Sequence, residues 1–583
     1  MMNFTAEQHA IIRSSGNIRI NAVAGSGKTS TLLGYAKERC NAGPILYIAF
    51  NKSVKLEAER KFASLELSNV RVETAHSLAY SYIVKGSDYK VRRNGGYKTH
   101  EIVEILGLKG YKQPHTGFII ANHINRYVTL FCNSDKPKVQ DLNYEEFLSD
   151  ARAQVFARNY KALILQQTRL FLDKMNRGEI EILHDFYLKK FQQSSPILPY
   201  QFILFDEAQD ASDAMLDVVT RQPATKVIVG DTHQQIYGWR YAVNSLEKVD
   251  YPVYQLTRSF RFDHEIAALA CRILRWKSHL GLKTEVQIYG SATTKQGVQR
   301  VILARTNVGL LSKAVELVID KKEVKKIYFE GRIESYTYAD EGASVYDVLN
   351  LYLGKNQFIK DKLIAAMKTF GELEEYIQKT EDIALGLLVE IVKKYHQNLP
   401  DYIRQIKEAH VENHEKDKAG MIFSTVHRCK GLEYDEVTLV NDFITEDKLI
   451  HLIKETGIEK VNKDKLGEEI NLLYVAVTRT RNILNIPEEL LPKSNIHVIR
   501  KPDMVYSGGS FDAPGRGKPS PESSGSLGKQ GLPWKTRDDD QLTVMFCERK
   551  SVSTIARRLG RTTSAIRARI NKLELPDLYG IDF

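Results

Sequence analysis

The chain is predicted to be an α/β protein with parallel sheets, mainly helical insertions and a small all-α unit at its C-terminal end. Three observations predict this. Short apolar runs alternate with helical patterns over residues 1–80, the rhythm of βαβ units. A glycine-rich turn joins the first run to its helix. Comparable runs return at 202–205, 226–229, 301–304, 421–423 and 437–440. The 583 residues exceed one core, and at roughly 150 residues per domain they allow about four units.

In order, Ile18-Arg19-Ile20 reads as a strand, Ala22 to Ser30 as the glycine turn and Thr29 to Arg39 as the following helix. Ile45 to Phe50 reads as a buried strand and Val54 to Phe62 as a charged helix. Residues 81–195 turn basic and helical, as in Tyr144 to Met175, and read as an insertion between strands. Residues 331–419 repeat that texture and read as a second, smaller insertion. The Gly-, Ser- and Pro-rich stretch 502–533 has too little apolar surface to fold and reads as a flexible linker. Helical periodicity returns over the tail at 534–583.

Hydrophobic content of 43% and charged content of 27% suit a chain with sizeable cores. No apolar run approaches a membrane span and Met1 to His9 lacks a secretion-signal layout, so a soluble intracellular protein is expected, with no membrane partner. The five cysteines lie far apart, which suggests neither disulfides nor structural zinc. A net charge of +11 favours a polyanionic partner.

The turn Ala22-Val23-Ala24-Gly25-Ser26-Gly27-Lys28-Thr29-Ser30 has the composition of a phosphate cradle. Small residues at Ala24, Gly25, Ser26 and Gly27 let backbone N–H groups close on phosphate oxygens. Lys28 reaches the β- and γ-phosphates, the Thr29 hydroxyl suits Mg²⁺, and the helix N-terminus faces the same charge. The general pattern has glycine where Ala22 stands. After the apolar strand at 202–205 come Asp206 and Glu207, suited to hold Mg²⁺ and to polarise the attacking water, respectively.

The residues then reach a family resemblance. Asp206-Glu207-Ala208-Gln209-Asp210, and Val229 through Gln234 and Tyr237 to Arg240, resemble motifs II and III of superfamily 1 helicases of the UvrD, Rep and PcrA type. Gln8 resembles the adenine-reading Q motif, Phe50-Asn51-Lys52 motif Ia and Thr74-Ala75-His76-Ser77 motif Ib. Leu256 to Arg261 resembles Leu-x-x-Asn-Tyr-Arg, with Ser259 and Phe260 replacing Asn and Tyr, and Leu303 to Asn307 resembles the next strand motif. Thr425 to Tyr434 and Leu473 to Arg479 resemble motifs V and VI. The ordered series covers roughly residues 1–490.

The resemblance implies two RecA-like P-loop domains. Domain 1A would be 1–80 and 196–255 with insertion 1B at 81–195; domain 2A would be 256–330 and 420–501 with insertion 2B at 331–419. ATP and Mg²⁺ are the implied cofactors. Lys28, Glu207, Gln234, Arg261 and Arg479 are the implied catalytic set, the two arginines completing the γ-phosphate site from the second α/β unit. Phe260 would stack on adenine and Glu433 would meet the ribose. Ser30 replaces an arginine usual in the UvrD group. Arg305 is a further candidate.

For single-stranded DNA and its junctions with duplex, the implied contacts are Phe50, Asn51, Thr74, His76, Tyr237, Trp239 and His427, because aromatic stacking accepts any base. The segments 184–190 and 329–336 look closest to the F-box-type DNA helicases, although no F-box precedes Phe4. The tail resembles a helix-turn-helix or Myb-like module, introduced by Trp534-Lys535-Thr536, with Arg561, Arg567, Arg569 and Lys572 in or near its recognition helix; it would offer a second DNA contact or a protein contact. The expected activity is ATP-driven 3′ to 5′ movement on single-stranded DNA in repair, recombination or replication, in the cytoplasm, nucleoid or nucleus. RNA-directed unwinding and a DNA-binding regulator with an ATPase switch remain open.

Overall fold

The computed structural model describes residues 3–493 apart from Asn94, 109–114, 239–243, Lys283, Glu285, 293–298, Arg332 and 339–341. Beyond 493 it describes Asp538, Gln541, Leu542, Met545, Phe546 and 550–572, with side chains to 570. The predicted linker at 502–533, Trp534-Lys535-Thr536 and Trp239 lie outside the described residues. The chain divides into two compact units, Met1–Lys493 and Ser494–Phe583.

The first unit holds two larger parallel sheets. In one, β1 (Ile18–Ala22), β2 (Ile45–Ala49), β3 (Val70–Thr74), β4 (Phe202–Phe205), β5 (Thr225–Gly230) and β6 (Val253–Leu256) lie in the order β3-β2-β4-β5-β1-β6. A two-residue pair, β7 (Arg258–Ser259) with β8 (Tyr289–Gly290), follows. In the other sheet, β9 (Arg300–Ala304), β10 (Ile327–Phe329), β11 (Met421–Thr425), β12 (Tyr434–Leu439) and β13 (Thr480–Asn485) lie in the order β10-β11-β9-β12-β13. Helices cover the sheets, so a strand such as β2 is buried at every position and reads as a continuous Ile/Leu/Tyr run.

Parallel register places the chemistry. Asn21 lies opposite Gly230, and Phe205 opposite Ile228, so β1, β4 and β5 end at the same edge. Residues just past those ends converge there, where open α/β sheets gather ligands. β6 pairs Leu256 with Ala22, so the first sheet extends one residue past the expected boundary at 255. Arg261 therefore lies on the connection between the sheets rather than within the second.

Residues 81–195 and 331–419 are mainly helical. Tyr144 to Met175 is not one helix: Asp150 caps Ala151–Asn159, and a second helix runs Lys161–Asn176. The two segments pack together through helices Thr116–Asn133 and Phe370–Thr380. Just past the latter, Glu381 (φ 53°) accepts the N–H of Ser149 at 2.5 Å, the N–H of Asp150 and Arg126 Nη2 at 2.9 Å.

In the second unit, helices Val552–Leu559 and Thr563–Lys572 are separated by Gly560, Arg561 and Thr562. Leu542, Phe546, Ile555, Ala556, Leu559, Ile566 and Ile570 form their common core. No described helix is long and apolar enough to cross a membrane.

Candidate active site at the edge of the first sheet

The glycine turn folds as a cradle because Gly25 (φ 73°) and Gly27 (φ 78°) adopt left-handed backbone that other residues resist. Helix Lys28–Glu38 starts at Gly27 and directs its N-terminus into the turn. Lys28 Nζ meets Glu207 Oε1 at 2.8 Å. Burial pulls the Lys28 pKa down, but Glu207, Asp206 and Asp231 together raise it above its ordinary value, so the ammonium stays charged.

Glu207 sits in left-handed backbone (φ 52°, ψ 39°), a strained geometry for a glutamate that aims its carboxylate back over the sheet edge. Gln209 Nε2 donates to Glu207 Oε2 at 2.6 Å. Asp206 is buried, accepts the Tyr47 hydroxyl and accepts the Glu207 N–H at 2.9 Å. Burial and the Glu207 charge raise Asp206; for Glu207, burial pushes upward, but Lys28, Lys430 and the Gln209 hydrogen bond together outweigh it and lower the pKa. Glu207 is thus the firmly ionised member of the pair.

The residues fit a nucleotide with Mg²⁺. Ser26 Oγ is buried inside the cradle with no hydrogen-bond partner, a donor awaiting an acceptor. Thr29 is half-buried beside Lys28, and Ser30 is exposed. Among the described residues no three His, Cys, Asp or Glu side chains gather to hold a metal by themselves. Mg²⁺ takes one or two protein oxygens and completes its shell with phosphate and water, and the Thr29 hydroxyl and Asp206 carboxylate are oxygens of that kind. A Cβ at Gly27 would lie 3.0 Å from Gln8 Nε2 and 3.8 Å from the Phe260 ring, so these side chains flank the same turn. Gln8 is pinned by Thr5 N at 2.9 Å and by Thr31 Oγ1 at 3.1 Å, whereas the Phe260 ring is 47% exposed, open to stacking.

The helix Lys463–Val477 and the loops flanking the second sheet supply the opposite wall. Tyr474 donates to Asp231 Oδ2 at 3.0 Å and accepts the Ala24 N–H at 3.4 Å. Arg479 is 1% exposed, with Nη2 at 3.4 Å from Gln234 Oε1; burial and neighbouring Arg261 lower its pKa to about 10. Gln234 Nε2 donates to Asp231 at 2.8 Å. Arg261 donates to Glu433 Oε2 at 2.6 Å and to Thr478 O at 3.1 Å, and Arg481 takes the other Glu433 oxygen at 2.7 Å. Phe260 N–H donates to Gly25 O at 2.9 Å, which lays the connection between the sheets on the cradle. Lys28, Glu207, Gln234, Arg261 and Arg479 are thus brought to one cleft. Arg305 is not: it makes a two-pronged pair with Glu469.

The residues predicted to meet a strand fall in two groups. Phe50, 39% exposed, stacks on Tyr237 (5.8 Å between centroids, 20° between planes), and Lys430 Nζ lies 4.8 Å over the Tyr237 ring. Tyr237 donates to His427 O at 3.0 Å. The His427 ring itself turns inward to Ile236 O at 3.1 Å, and burial lowers its pKa to about 4, so it packs as a neutral group. Asn51 and Thr74 cap helices, binding Val54 N and Ser77 N. His76 meets Asp185 at 3.2 Å and stands edge-on to Tyr187.

Sequence reasoning gave no role to Asp231, Tyr474, Lys430, Asn471 or Glu468. Asp231 carries the same signal as Asp206, a carboxylate directly after an apolar strand. The others cross between sheets: Lys430 to Asp210 and to Gln234 O (2.6 Å), Asn471 to Gln235 O (2.8 Å), Glu468 to Gly238 N (3.1 Å). Nothing in sequence spacing signals those pairings.

Residues 4–249 match the family model described as the UvrD/REP helicase N-terminal domain. The chain is 28% identical over 515 residues to F-box DNA helicase 1 of Gallus gallus, covering 83% of this chain and 49% of that protein. It is 27% identical over 523 residues to F-box DNA helicase protein 1 of Schizosaccharomyces pombe, covering 82% and 57%. To ATP-dependent DNA helicase PcrA of Staphylococcus epidermidis it is 21% identical over 632 residues, covering 83% of each. The chain therefore spans about half the length of the F-box helicases it matches.

Proposed function

We infer that this chain, whose residues 4–249 match the model of the UvrD/REP helicase N-terminal domain, is an ATP-dependent DNA helicase or translocase that moves 3′ to 5′ on single-stranded DNA. The observation that carries the reading is the cleft in which Lys28 pairs with Glu207 at 2.8 Å while Tyr474, on helix Lys463–Val477, and Arg479, just before β13, reach in from the second sheet's half of the chain. The two sheets are read as RecA-like domains 1A and 2A, with 81–195 and 331–419 as insertions 1B and 2B.

In this mechanism the cradle N–H groups and Ser26 Oγ bind the phosphates, and Lys28 exchanges Glu207 for a phosphate oxygen. Glu207, released from Lys28 but still held by Gln209, orients the attacking water and accepts its proton. Thr29 and Asp206 would hold Mg²⁺, which neutralises charge on the phosphates. Arg261 and Arg479 stabilise charge on the transferring group from the far wall, and planar guanidinium forks suit its equatorial oxygens. Gln8 and Phe260 hold the base; Glu433 holds the ribose.

Because both walls touch the same phosphates, nucleotide binding and release would alternately tighten and loosen the sheets' contact. The aromatic group of Phe50 and Tyr237, beside Lys430, would carry that change to the strand. Trp239, Asn51, Thr74, His76 and His427 complete the proposed path, and the tail adds a second contact. The protein would act in repair, recombination or replication, wherever its host keeps DNA.

Purified protein should show ATPase stimulated by single-stranded DNA, and Lys28→Ala should abolish it. Strand displacement on 3′- and 5′-tailed duplexes reads polarity and unwinding together. Absence of stimulation would sink the motor reading; stronger stimulation by matched RNA would redirect it, and unwinding only of 5′-tailed substrates would reverse the polarity.

A further inference from the structure

We propose that the C-terminal unit reads duplex DNA sequence in the major groove, with the helix Thr563–Lys572 as its reading element. The inference rests on the reading of the chain as DNA-acting, but its chemistry is that of the tail alone.

Between 550 and 572 the chain carries Lys550, Arg557, Arg558, Arg561, Arg567, Arg569 and Lys572 and not one Asp or Glu. A solvated helix pair of ordinary composition interleaves both signs. The exposed Arg557, Arg558 and Arg567 of this one-signed segment suit a polyanion.

The geometry then distinguishes duplex from other polyanions. Ser551 caps the first helix through Thr554 N (3.3 Å), Gly560 (φ 64°) ends it, and Thr562 caps the second through Ala565 N (3.2 Å). The connecting turn of Gly560, Arg561 and Thr562 has the length and the glycine of helix pairs that seat a helix in a groove. Arg561 is 4% exposed and donates to buried Asp538 at 3.0 Å. A buried ion pair costs desolvation and returns geometric specificity; here it fixes the turn to the segment that precedes the pair.

With Ile566 and Ile570 turned into the core, the second helix exposes Thr563, Ser564, Arg567 and Ala568. These lie at i, i+1, i+4 and i+5, one face near its N-terminus, where groove-seated helices meet base edges. Their chemistry matches those edges: a guanidinium for guanine O6 and N7, hydroxyls for either donor or acceptor, and a methyl for thymine. Exposed Arg557 and Arg558 on the first helix suit phosphates.

The test uses the full-length chain and a duplex library with a randomised central region. Selection should enrich a short preferred sequence. On that duplex, Arg567→Ala should weaken binding at least about tenfold and relax preference at one position. Arg567→Lys should keep the salt dependence but lose the preference, a result that mere unfolding would not give. Arg557→Ala with Arg558→Ala should weaken all duplexes alike and flatten the log–log salt slope by about 0.9 for each phosphate no longer neutralised.

Stimulated ATPase is measured in the same proteins and should be unchanged by the Arg567 variants. No enriched sequence, duplex affinity unaffected by Arg567→Ala, or equal weakening on single strands would overturn the proposal. Sequence preference without any ATPase would uphold it while removing the motor reading.

Discussion

Gly25→Ala tests whether the connection between the sheets positions catalysis through its contact with the cradle. Two costs can be separated. Gly25 has φ 73°, where alanine pays about 1–2 kcal/mol for left-handed backbone. Its Cβ would also stand 2.6 Å from Arg261 Cβ, 2.8 Å from Ser259 Oγ and 3.3 Å from Arg261 N. Those atoms are on or next to the main chain, so the 259–261 segment must retreat, at about 1–3 kcal/mol for overpacking. Gly16 supplies the control: its φ is 72° and an added Cβ meets nothing within 4 Å. Gly16→Ala therefore carries the first cost without the second. The retreat carries Arg261 away from Glu433 and the phosphate site, and a displacement near 1 Å can cost about 100-fold in rate. Phosphate release stimulated by single-stranded DNA should fall by about that factor in Gly25→Ala and stay near wild type in Gly16→Ala, with thermal unfolding of both followed in parallel. Gly25→Ala activity within twofold of wild type, or equal losses in both variants, would refute the reasoning.

Further outcomes are expected. Glu207→Gln should retain nucleotide binding, read with a fluorescent ATP analogue, while turnover falls by more than about 100-fold; intact turnover would remove Glu207 as the base. Tyr474→Phe strips one donor from buried Asp231 and should cost about 1–3 kcal/mol of stability, seen as a lowered urea midpoint. Glu381→Gln should raise hydrogen exchange at Ser149 and Asp150, whose N–H groups its carboxylate accepts; unchanged protection would deny Glu381 a docking role. Burial holds His427 at about 4 and His123 at about 3, below the usual 6.5, so between those values and 6.5 the unfolded chain binds more protons. That stability is fully present above pH 6.5 and is lost as pH falls towards 4. His427→Gln should remove up to about 1.4 kcal/mol per pH unit of this dependence over that window, and a pH-independent difference from wild type would contradict it.

The strands legible in the sequence are those buried on both faces, whose apolar runs are continuous, such as β2 and β5. The strands that escape are short or half-exposed. β6 follows Pro252 and buries only Leu256 fully, β10 has three residues, and β13 follows its helix almost without a break and carries Arg481 and Asn482. The site divides in the same way. Lys28, Asp206 and Glu207 stand on local signals, a glycine turn and a carboxylate after an apolar run. Tyr474 and Lys430 act across 450 and 220 residues of sequence, reaching Ala24 and Asp210, and only the folded sheets bring them there. His427, singled out for the DNA path, also turns its ring onto Ile236 O, a long-range contact that no local signal announces.

The segment from Gln234 to Gly238 belongs by sequence to the first sheet's half of the chain, yet each of its five residues is bonded to the other half. Gln234 O, Gln235 O and Ile236 O accept from Lys430, Asn471 and His427, Tyr237 donates to His427 O, and Gly238 N–H donates to Glu468. Behind it, Asp231 remains seated after β5 and accepts the N–H groups of His233 and Gln234. The covalent border between the halves and the mechanical border are therefore different places. In the proposed motor these five residues would move with the second half, and Asp231 and His233, which meet Tyr474 and Lys277 of that half, extend the tie back to the end of β5.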